Sequence, residues 1–248
     1  MSSVAERTPP TQAEPTRRRS AASIVQGVLI ALGFAALVGG FVVIAVLYRP
    51  YKVPSGSMSP TVQIGDTVLA RTADGKSVGR GDIVVFQDQE WGNATMVKRV
   101  VAVGGDTVSG DDTGRISVNG HPVDEPYLPK ATAPSTAFTV TVPEDRLFLL
   151  GDYRGNSLDS RSHLDVASGT VPAAGVKARV EAIVQPLSRA GMEKRTAAFD
   201  VLGAPSAHQQ GPLVPAAWTS VGGAVLIVLA SAAGWAVSLT RRLRRRRA

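Results

Sequence analysis

The segment Val97-Lys-Arg-Val-Val-Ala-Val-Gly-Gly-Asp106 decides the fold class of this chain. Its first seven residues are rich in β-branched side chains and a Gly-Gly-Asp turn signal follows, so it predicts a short strand that ends in a turn. Asn119-Gly120 predicts a type I′ hairpin turn. Similar strand-like segments occupy residues 81–86, 115–118, 138–142 and 147–150. No long helical period interrupts them, so residues 49–188 are predicted to form an all-β domain.

Two long apolar runs flank this domain and predict transmembrane helices over residues 21–48 and 216–240. At 1.5 Å per residue the first run is about 40 Å long, enough to cross a hydrocarbon core of about 30 Å. A cleavable signal peptide is the alternative, but its apolar core is typically about 7–15 residues and ends in small residues. This run is longer and ends in Leu47-Tyr-Arg-Pro50. An uncleaved anchor is therefore expected.

The charge of the chain is concentrated in its two tails. The formal net charge is +7, of which residues 1–20 carry +2, the last nine residues carry +6 and the remainder carries −1. The positive-inside rule then predicts a multi-pass protein of the plasma membrane, with both termini cytoplasmic and residues 49–215 outside. Residues 1–20 are expected to be a disordered tail and residues 241–248 a basic tail. Because the central domain is not basic, no nucleic-acid partner is expected.

Residues 189–215 are rich in Ala, Gly, Pro and polar side chains and predict an extended linker back to the membrane. Small residues four apart, Ala35 with Gly39 and Ala230 with Gly234, would let the two membrane helices approach closely. The chain has no cysteine, which excludes disulfides, thiolate zinc sites and a thiol nucleophile. His121, His163 and His208 lack metal-ligand spacing, so no metal is expected, and each is interpreted as a solvent-facing loop residue.

The octet Pro54-Ser-Gly-Ser-Met-Ser-Pro-Thr61 begins just after the first apolar run ends at Tyr48. Its two prolines fix φ and favour extended geometry in the residues before them, and Gly56 removes a side chain between two hydroxyls. The octet therefore predicts a stiff segment that presents Ser55 and Ser57 on one edge. Taken alone, it is equally well interpreted as a polar loop after a membrane helix.

Five blocks in order resemble the bacterial type I signal peptidases, in the form with an additional C-terminal membrane anchor. They are PSGSMSPT at 54–61, GDIVVF at 81–86, VKRVVAVGGD at 97–106, NGHPVDEPYL at 119–128 and GDYRGNSLDSR at 151–161. The resemblance implies a mostly antiparallel β fold with a core shared with self-cleaving repressors. It implies a serine endopeptidase without a cofactor that removes signal peptides after Ala-X-Ala-like sites. The implied partners are preproteins, the lipid bilayer and the secretion translocon.

The resemblance also implies roles for individual residues. Ser57 corresponds to the nucleophile and Lys98 to the general base, Ser55 to the oxyanion-stabilising hydroxyl and Ser157 to the serine that positions the lysine. Asp152, Asp159 and Arg161 correspond to structural support, and the substrate pocket corresponds to Val53, Met58, Val62, Met96 and Val97. This chain departs from the family pattern at Tyr153 and Gly155, where Asn and Asp are common.

A lysine base has to be neutral, and burial favours the neutral form. The alternation of a strand is expected to place Val100 and Ala102 on the face of Lys98, which gives an apolar surrounding. The alternative interpretation is a solvated lysine that protects a sheet edge.

Three functions fit these patterns. The first is a membrane-anchored endopeptidase. The second is a membrane-tethered β domain without catalytic activity, and the third is a relative of the self-cleaving repressors that acts only on itself. The joint presence of Ser57, Lys98 and Ser157 favours the endopeptidase, and two anchors are not expected in a self-cleaving repressor.

Overall fold

In the computed structural model, residues 21–130 and 134–247 are described. The long helices are α1 (Ala21–Leu47) and α2 (Leu213–Arg247). The described residues between them form twelve strands: β1 (Tyr48–Lys52), β2 (Thr67–Thr72), β3 (Ile83–Gln87), β4 (Thr95–Val103), β5 (Thr107–Gly110), β6 (Ile116–Val118), β7 (His121–Pro122), β8 (Phe138–Thr141), β9 (Arg146–Leu150), β10 (Val171–Pro172), β11 (Val176–Gln185) and β12 (Gly191–Met192). The expectation for residues 1–20 lies outside the described residues.

The strands form two sheets in which neighbours run antiparallel. The larger sheet has the order β1-β2-β11-β3-β4-β9-β10, and β12 pairs with β11. The smaller sheet has the order β7-β6-β5-β8. The prediction of a mostly antiparallel all-β domain with two long apolar helices is confirmed.

The predicted hairpin turn is present where the sequence placed it. Asn119 and Gly120 connect β6 to β7 and have φ angles of 53° and 77°, the positive values that a type I′ turn requires at both central positions. Asparagine and glycine enter this region more easily than other residues, so the local sequence alone determines the turn. Strands β1, β2, β5 and β11 were not predicted, because their apolar residues are separated by charged or small polar side chains.

Each face of the larger sheet packs its own cluster of apolar side chains. The alternation of β3 sends Val84 and Phe86 into one cluster, with Val100 and Trp91, and sends Ile83 and Val85 into another. A third cluster joins the two sheets and includes Val108, Val140 and Phe148. Because β3 and β4 are buried on both faces, the strands at the centre of the sheet are held rigidly.

A β-bulge interrupts β4 and corrects one expectation. The register between β4 and β9 shifts between Val100 and Ala102, so two residues of β4 oppose one residue of β9. Val100 packs on the same side as Met96, whereas Val101 and Ala102 both join the cluster that faces the smaller sheet. The expectation that Ala102 shares the face of Lys98 is therefore wrong, and the one for Val100 agrees with the structure.

The segment 189–215 does not run as an extended linker. Its strand β12 adds to the edge of β11, and Phe199 is fully buried in the cluster that contains Phe148. Ser206 forms a bridge with Arg80, whose guanidinium also donates to the Pro205 carbonyl. Single anchoring residues of this kind leave no periodic pattern in the sequence, which is why the packing was not predicted.

Both long helices are long and apolar enough to cross a membrane, by length and composition. The first ends at Leu47, one residue before the predicted end, and the second begins at Leu213 and continues through the predicted basic tail to Arg247. The second helix ends later than predicted because helical geometry continues into the arginines that follow the apolar run.

The helices approach each other at Gly33 and Gly223, which were not predicted, and also at the predicted residue Gly234, where a Cβ would meet the Gln26 side chain of α1. A Cβ on Gly33 would lie 2.8 Å from the Gly223 carbonyl oxygen, and a Cβ on Gly223 would lie 2.4 Å from the Gly33 carbonyl oxygen. The Ser220 hydroxyl donates to the Leu37 carbonyl at 3.1 Å. Gly39 faces open space, so the expected contact through it is wrong.

The packing of Phe199 predicts a stability cost that a linker residue would not have. Phe199→Ala should lower the free energy of unfolding by about 3–5 kcal/mol, the usual cost of emptying a buried aromatic site. Urea unfolding of the detergent-solubilised full chain would measure it through Trp91, with Trp218 and Trp235 replaced by phenylalanine. The control is Val201→Ala, because Val201 is 70% exposed and its truncation should change stability by less than about 0.5 kcal/mol. Equal, small effects of both variants would contradict the packing.

Candidate active site

Ser57 lies in a turn between β1 and β2 that backbone hydrogen bonds hold closed. The Val53 amide donates to the Asp66 carbonyl at 2.8 Å, and the Ser59 amide donates to the Gly56 carbonyl at 3.0 Å. The Ser57 side chain is only 7% exposed. The octet is therefore not a free polar loop, because both its ends are tied to the sheet.

Lys98 reaches Ser57 from strand β4, where Val84 of β3 is its cross-strand partner. It is 4% exposed, and its Nζ donates to Ser57 Oγ at 2.9 Å and to the Val97 carbonyl at 3.2 Å. Residues 41 positions apart in the chain are thus within hydrogen-bond distance, as a nucleophile and its base have to be. Both neighbouring strands pair with β4, so Lys98 does not protect a sheet edge.

The electrostatics of the site favour a neutral Lys98. Burial lowers the pKa of Lys98 below its usual value of 10.5, because the ammonium form loses its hydration. The negative charges of Asp159 and Asp152 oppose this effect and raise the pKa. Burial is the largest of the three influences and sets the direction.

Two further serines lie beside the pair. Ser55 Oγ is 3.5 Å from Ser57 Oγ. Ser157 packs against Gly151, where a Cβ would lie 2.2 Å from Ser157 Oγ and 2.5 Å from the Ser57 carbonyl oxygen. Ser157 Oγ is buried and has no hydrogen-bond partner among the described residues. The structure therefore brings Ser157 to the site without a hydrogen bond from its hydroxyl to Lys98.

Asp152 connects the segment of Ser57 to the strand of Lys98. It accepts two hydrogen bonds from Arg99, at 2.9 Å from Nε and 2.7 Å from Nη2, and one at 2.5 Å from the Thr61 hydroxyl. The next residue, Tyr153, donates its amide to the Ser57 carbonyl at 2.9 Å. Arg99 was not among the predicted site residues, although a second cation inside an apolar strand is an available signal.

Asp159 and Arg161 form the second support, as expected for a bracing pair. Arg161 donates to both carboxylate oxygens of Asp159 at 2.9 Å, and Asp159 also accepts the Gly151 amide at 3.0 Å. Arg154, which was not predicted, is buried, pairs with Glu125 and donates to the Gly151 carbonyl at 3.0 Å. Arg154 lies between the two departing positions, and Tyr153, the first of them, is itself exposed.

The predicted pocket residues divide between two clusters. Val53, Met58 and Val62 are at most 3% exposed and pack together, with half-buried Val97 against them. Met96 packs in the cluster of Phe86 on the other side, because neighbouring residues of a strand point to opposite faces.

Two of the histidines, His163 and His208, have partners of their own, which differs from the expectation of solvent-facing loop residues. His163 stacks on Trp91 with ring centroids 4.2 Å apart, and its Nδ1 is 2.9 Å from the Asp159 carbonyl oxygen. His208 Nδ1 is 2.9 Å from Asp82 Oδ2. His121 is exposed in β7. Within the part of the chain that the structure describes, no group of three or more His, Cys, Asp or Glu could hold a metal ion.

The comparisons with known proteins all match signal peptidases. The family model described as signal peptidase, peptidase S26, matches residues 22–185. Signal peptidase I of Mycobacterium tuberculosis is 33% identical over 215 residues, covering 65% of this chain and 73% of that protein. Signal peptidase I of Bacillus licheniformis is 37% identical over 153 residues, covering 56% of this chain and 77% of that protein.

A crystal structure of a signal peptidase I from Enterococcus faecalis is similar at 29% identity and a TM-score of 0.34, covering 40% of this chain and 93% of that one. The family match extends over more than half of the sequence, and the relatives agree with it. The chain belongs to the signal peptidase family, peptidase S26.

Proposed function

We propose that the chain cleaves signal peptides from exported preproteins after Ala-X-Ala-like sites, with Ser57 as nucleophile and Lys98 as general base. As a member of the family it is a serine peptidase that acts on signal peptides. The observation that carries the finer proposal is the 2.9 Å contact between Lys98 Nζ and Ser57 Oγ in a site closed to solvent. Ser and Lys at this distance can exchange a proton without moving.

The chemistry depends on the neutral form of Lys98. At its ordinary pKa, only roughly one lysine in 2,500 is neutral at pH 7, and each unit of lowering increases that fraction about tenfold. Neutral Lys98 takes the proton of Ser57 as Oγ bonds to the scissile carbonyl carbon. The resulting ammonium then gives a proton to the leaving amine as the C–N bond breaks. A water molecule, deprotonated by Lys98, hydrolyses the acyl-enzyme and restores Ser57.

The remaining serines and the acids serve this cycle. Ser55 is close enough to Ser57 Oγ for its hydroxyl to donate to the oxyanion that forms on the attacked carbonyl. Ser157 occupies the space beside Gly151 and the Ser57 backbone, where it limits the positions open to Lys98. Asp152, Asp159 and Arg161 hold the loop after β9 against the Ser57 segment. Ser55 would thus contact a reacting atom directly, whereas Ser157, Asp152, Asp159 and Arg161 are positioning residues that act through other groups.

The preference for small side chains follows from the packed valines. Val53, Met58 and Val62 fill the space below the site, and Val97 closes its edge, so only a shallow depression is available. A larger side chain before the scissile bond does not fit there, and a charged one would be buried without a partner. Met96 lies on the same face of β4 as Lys98, in the cluster of Phe86, and supports the strand that carries Val97.

We further propose that the chain is a two-pass plasma membrane protein with both tails cytoplasmic. Arginines precede the first apolar helix and follow the second, which favours this orientation. Nine chain steps connect Tyr48 to Ser57, so the nucleophile is at most about 30 Å along the chain from the end of α1. A scissile bond just outside the bilayer, such as one delivered by a secretion translocon, is within that reach.

Removal of either member of the pair should abolish cleavage. Purified Ser57→Ala and Lys98→Ala variants should each lose roughly 10⁴- to 10⁶-fold in kcat, and the double variant should lose no more, because the two act as a unit. Lys98→Arg should be equally inactive, since a guanidinium stays protonated. Cleavage of a preprotein with an Ala-X-Ala site, followed by mass spectrometry, gives the rate and the cut position.

Lys177→Ala is the matched control, because Lys177 is an exposed lysine of β11. An active Lys98→Arg variant, or cleavage elsewhere in the preprotein, would overturn the proposal. A preprotein with a large residue before the cut should remain uncleaved.

The pH dependence follows from the direction of the Lys98 pKa. Because the active form is the neutral amine, kcat/KM should rise with pH, and the midpoint should lie below 10.5, the usual value for lysine. Initial rates on an internally quenched peptide containing the cleavage site measure the profile. The trace activity of Lys98→Ala should show no such rise. A midpoint at or above 10.5 would mean that burial does not lower the pKa of Lys98.

The orientation can be tested because the chain has no cysteine. A single cysteine at exposed Gln89 should react with a membrane-impermeant maleimide in intact cells. A single cysteine at Ala248 should react only after the membrane is permeabilised. Labelling at Ala248→Cys in intact cells would contradict a cytoplasmic C-terminus.

A further inference from the structure

Glu193 lies in a part of the chain beyond the family match, which ends at residue 185. Its amide donates to the Glu181 carbonyl at 2.8 Å, which continues the pairing of β12 with β11. The preceding residue, Met192, packs in an apolar cluster with Tyr48 and Leu213. Alternation along the strand therefore turns Glu193 to the opposite side, toward the sheet residues around Arg99.

There Glu193 and Arg99 bound a cavity of about 420 Å³ that also touches Pro60 and Thr61 of the Ser57 segment. Arg99 uses Nε and Nη2 for Asp152 and Nη1 for the Gly81 carbonyl, at 2.8 Å for the last. A guanidinium has five N–H donors, so Arg99 retains donors that a second carboxylate can engage. Glu193 and Asp152 thus face the same cation.

Other charged and titratable groups line this cavity or a second cavity that Arg99 and Glu193 also border. Most of them are engaged in pairs of their own: Arg179 with Glu181 on β11, His208 with Asp82, Arg189 with Asp66 and Arg195 with Asp200. The Tyr127 ring lies over Arg99 at 4.0 Å, and Lys194 is exposed beside Glu193. Arg99 is therefore the cation that both lines this cavity with Glu193 and holds Asp152.

Asp152 connects Arg99 to the segment that carries Ser57. It holds Thr61, four residues after Ser57, and it adjoins Tyr153, whose amide holds the Ser57 carbonyl. Arg99 itself follows Lys98 on β4. A change in the hydrogen bonds from Arg99 to Asp152 would therefore alter the positions of both Ser57 and Lys98.

We propose that Glu193 is a positioning residue that competes with Asp152 for Arg99, so that its ionised form loosens, and its neutral form tightens, the support of the Ser57 segment. This inference rests on the proposed Ser57–Lys98 function. It adds a residue from the segment between the β domain and the second long helix to the residues that hold the site.

The environment of Glu193 makes this competition dependent on pH in the neutral range. Burial raises the pKa of the Glu193 carboxyl to about 7; Arg99 lowers this pKa and Asp152 raises it. Below pH 7 the Glu193 carboxyl is neutral and does not compete with Asp152 for Arg99. Above pH 7 the Glu193 carboxylate attracts Arg99, so the hydrogen bonds that support the Ser57 segment weaken as pH increases.

The test compares Glu193→Gln with the wild-type full chain in detergent micelles, as kcat/KM on the same peptide from pH 5 to 9. The ratio of variant to wild type should be constant at low pH and rise about threefold to tenfold as pH increases, with its midpoint near pH 7. Glu193→Met is a second neutral variant that needs no hydrogen-bond partner, and it should give the same rise. Glu90→Gln is the control, because Glu90 is an exposed acid in another loop, and its ratio should stay constant.

The outcomes separate this inference from the function on which it rests. Suppose that wild type cleaves and Ser57→Ala does not. A ratio that then stays constant with pH, measured on whichever neutral variant folds, overturns only the role of Glu193. A uniform loss at every pH assigns Glu193 a structural role and also overturns the proposal. Cleavage that persists in Ser57→Ala overturns the proposed function itself.

Discussion

The burial of Lys98 against Ser57 is the constraint on which the rest of this structure depends. An ammonium removed from water is destabilised, so the site favours the neutral amine and the folded domain bears the cost whenever Lys98 is protonated. Such a group stays in place only if its surroundings allow no alternative. A central strand with partners on both sides and packed valines on both faces meets that requirement.

Paired charges hold the second half of the site. Arg99 pairs with Asp152, Arg161 with Asp159 and Arg154 with Glu125. Buried ion pairs of this kind contribute little net stability, but removing one partner leaves an uncompensated charge. Their effect is to restrict the loop after β9 to one position, with its amides directed at Ser57 and its acids close enough to raise the pKa of Lys98.

The chain after residue 185 takes part in the domain rather than only connecting it to the second long helix. Phe199 contributes to the core between the two sheets, and β12 extends the larger sheet. The consequence for function is that the cavity behind the Ser57 segment is bounded on one side by this part of the chain. Variation in this segment can therefore change the site without touching the residues that carry the chemistry.

The sequence by itself determined the class of the fold, the two apolar helices and the hairpin turn at Asn119-Gly120, because each depends on local composition or a short motif. It suggested the residues of the proposed dyad only through several blocks that resemble one family in order. The tertiary structure alone decided which residues meet. The bulge that turns Ala102 away from Lys98, the Gly33–Gly223 contact and the partnership of Arg99 with Asp152 all depend on strand register or on packing between distant segments. Phe199 and Glu193 were not predicted for the same reason: a single inward-facing side chain in a polar segment has no periodicity, and only the three-dimensional structure gives it a role.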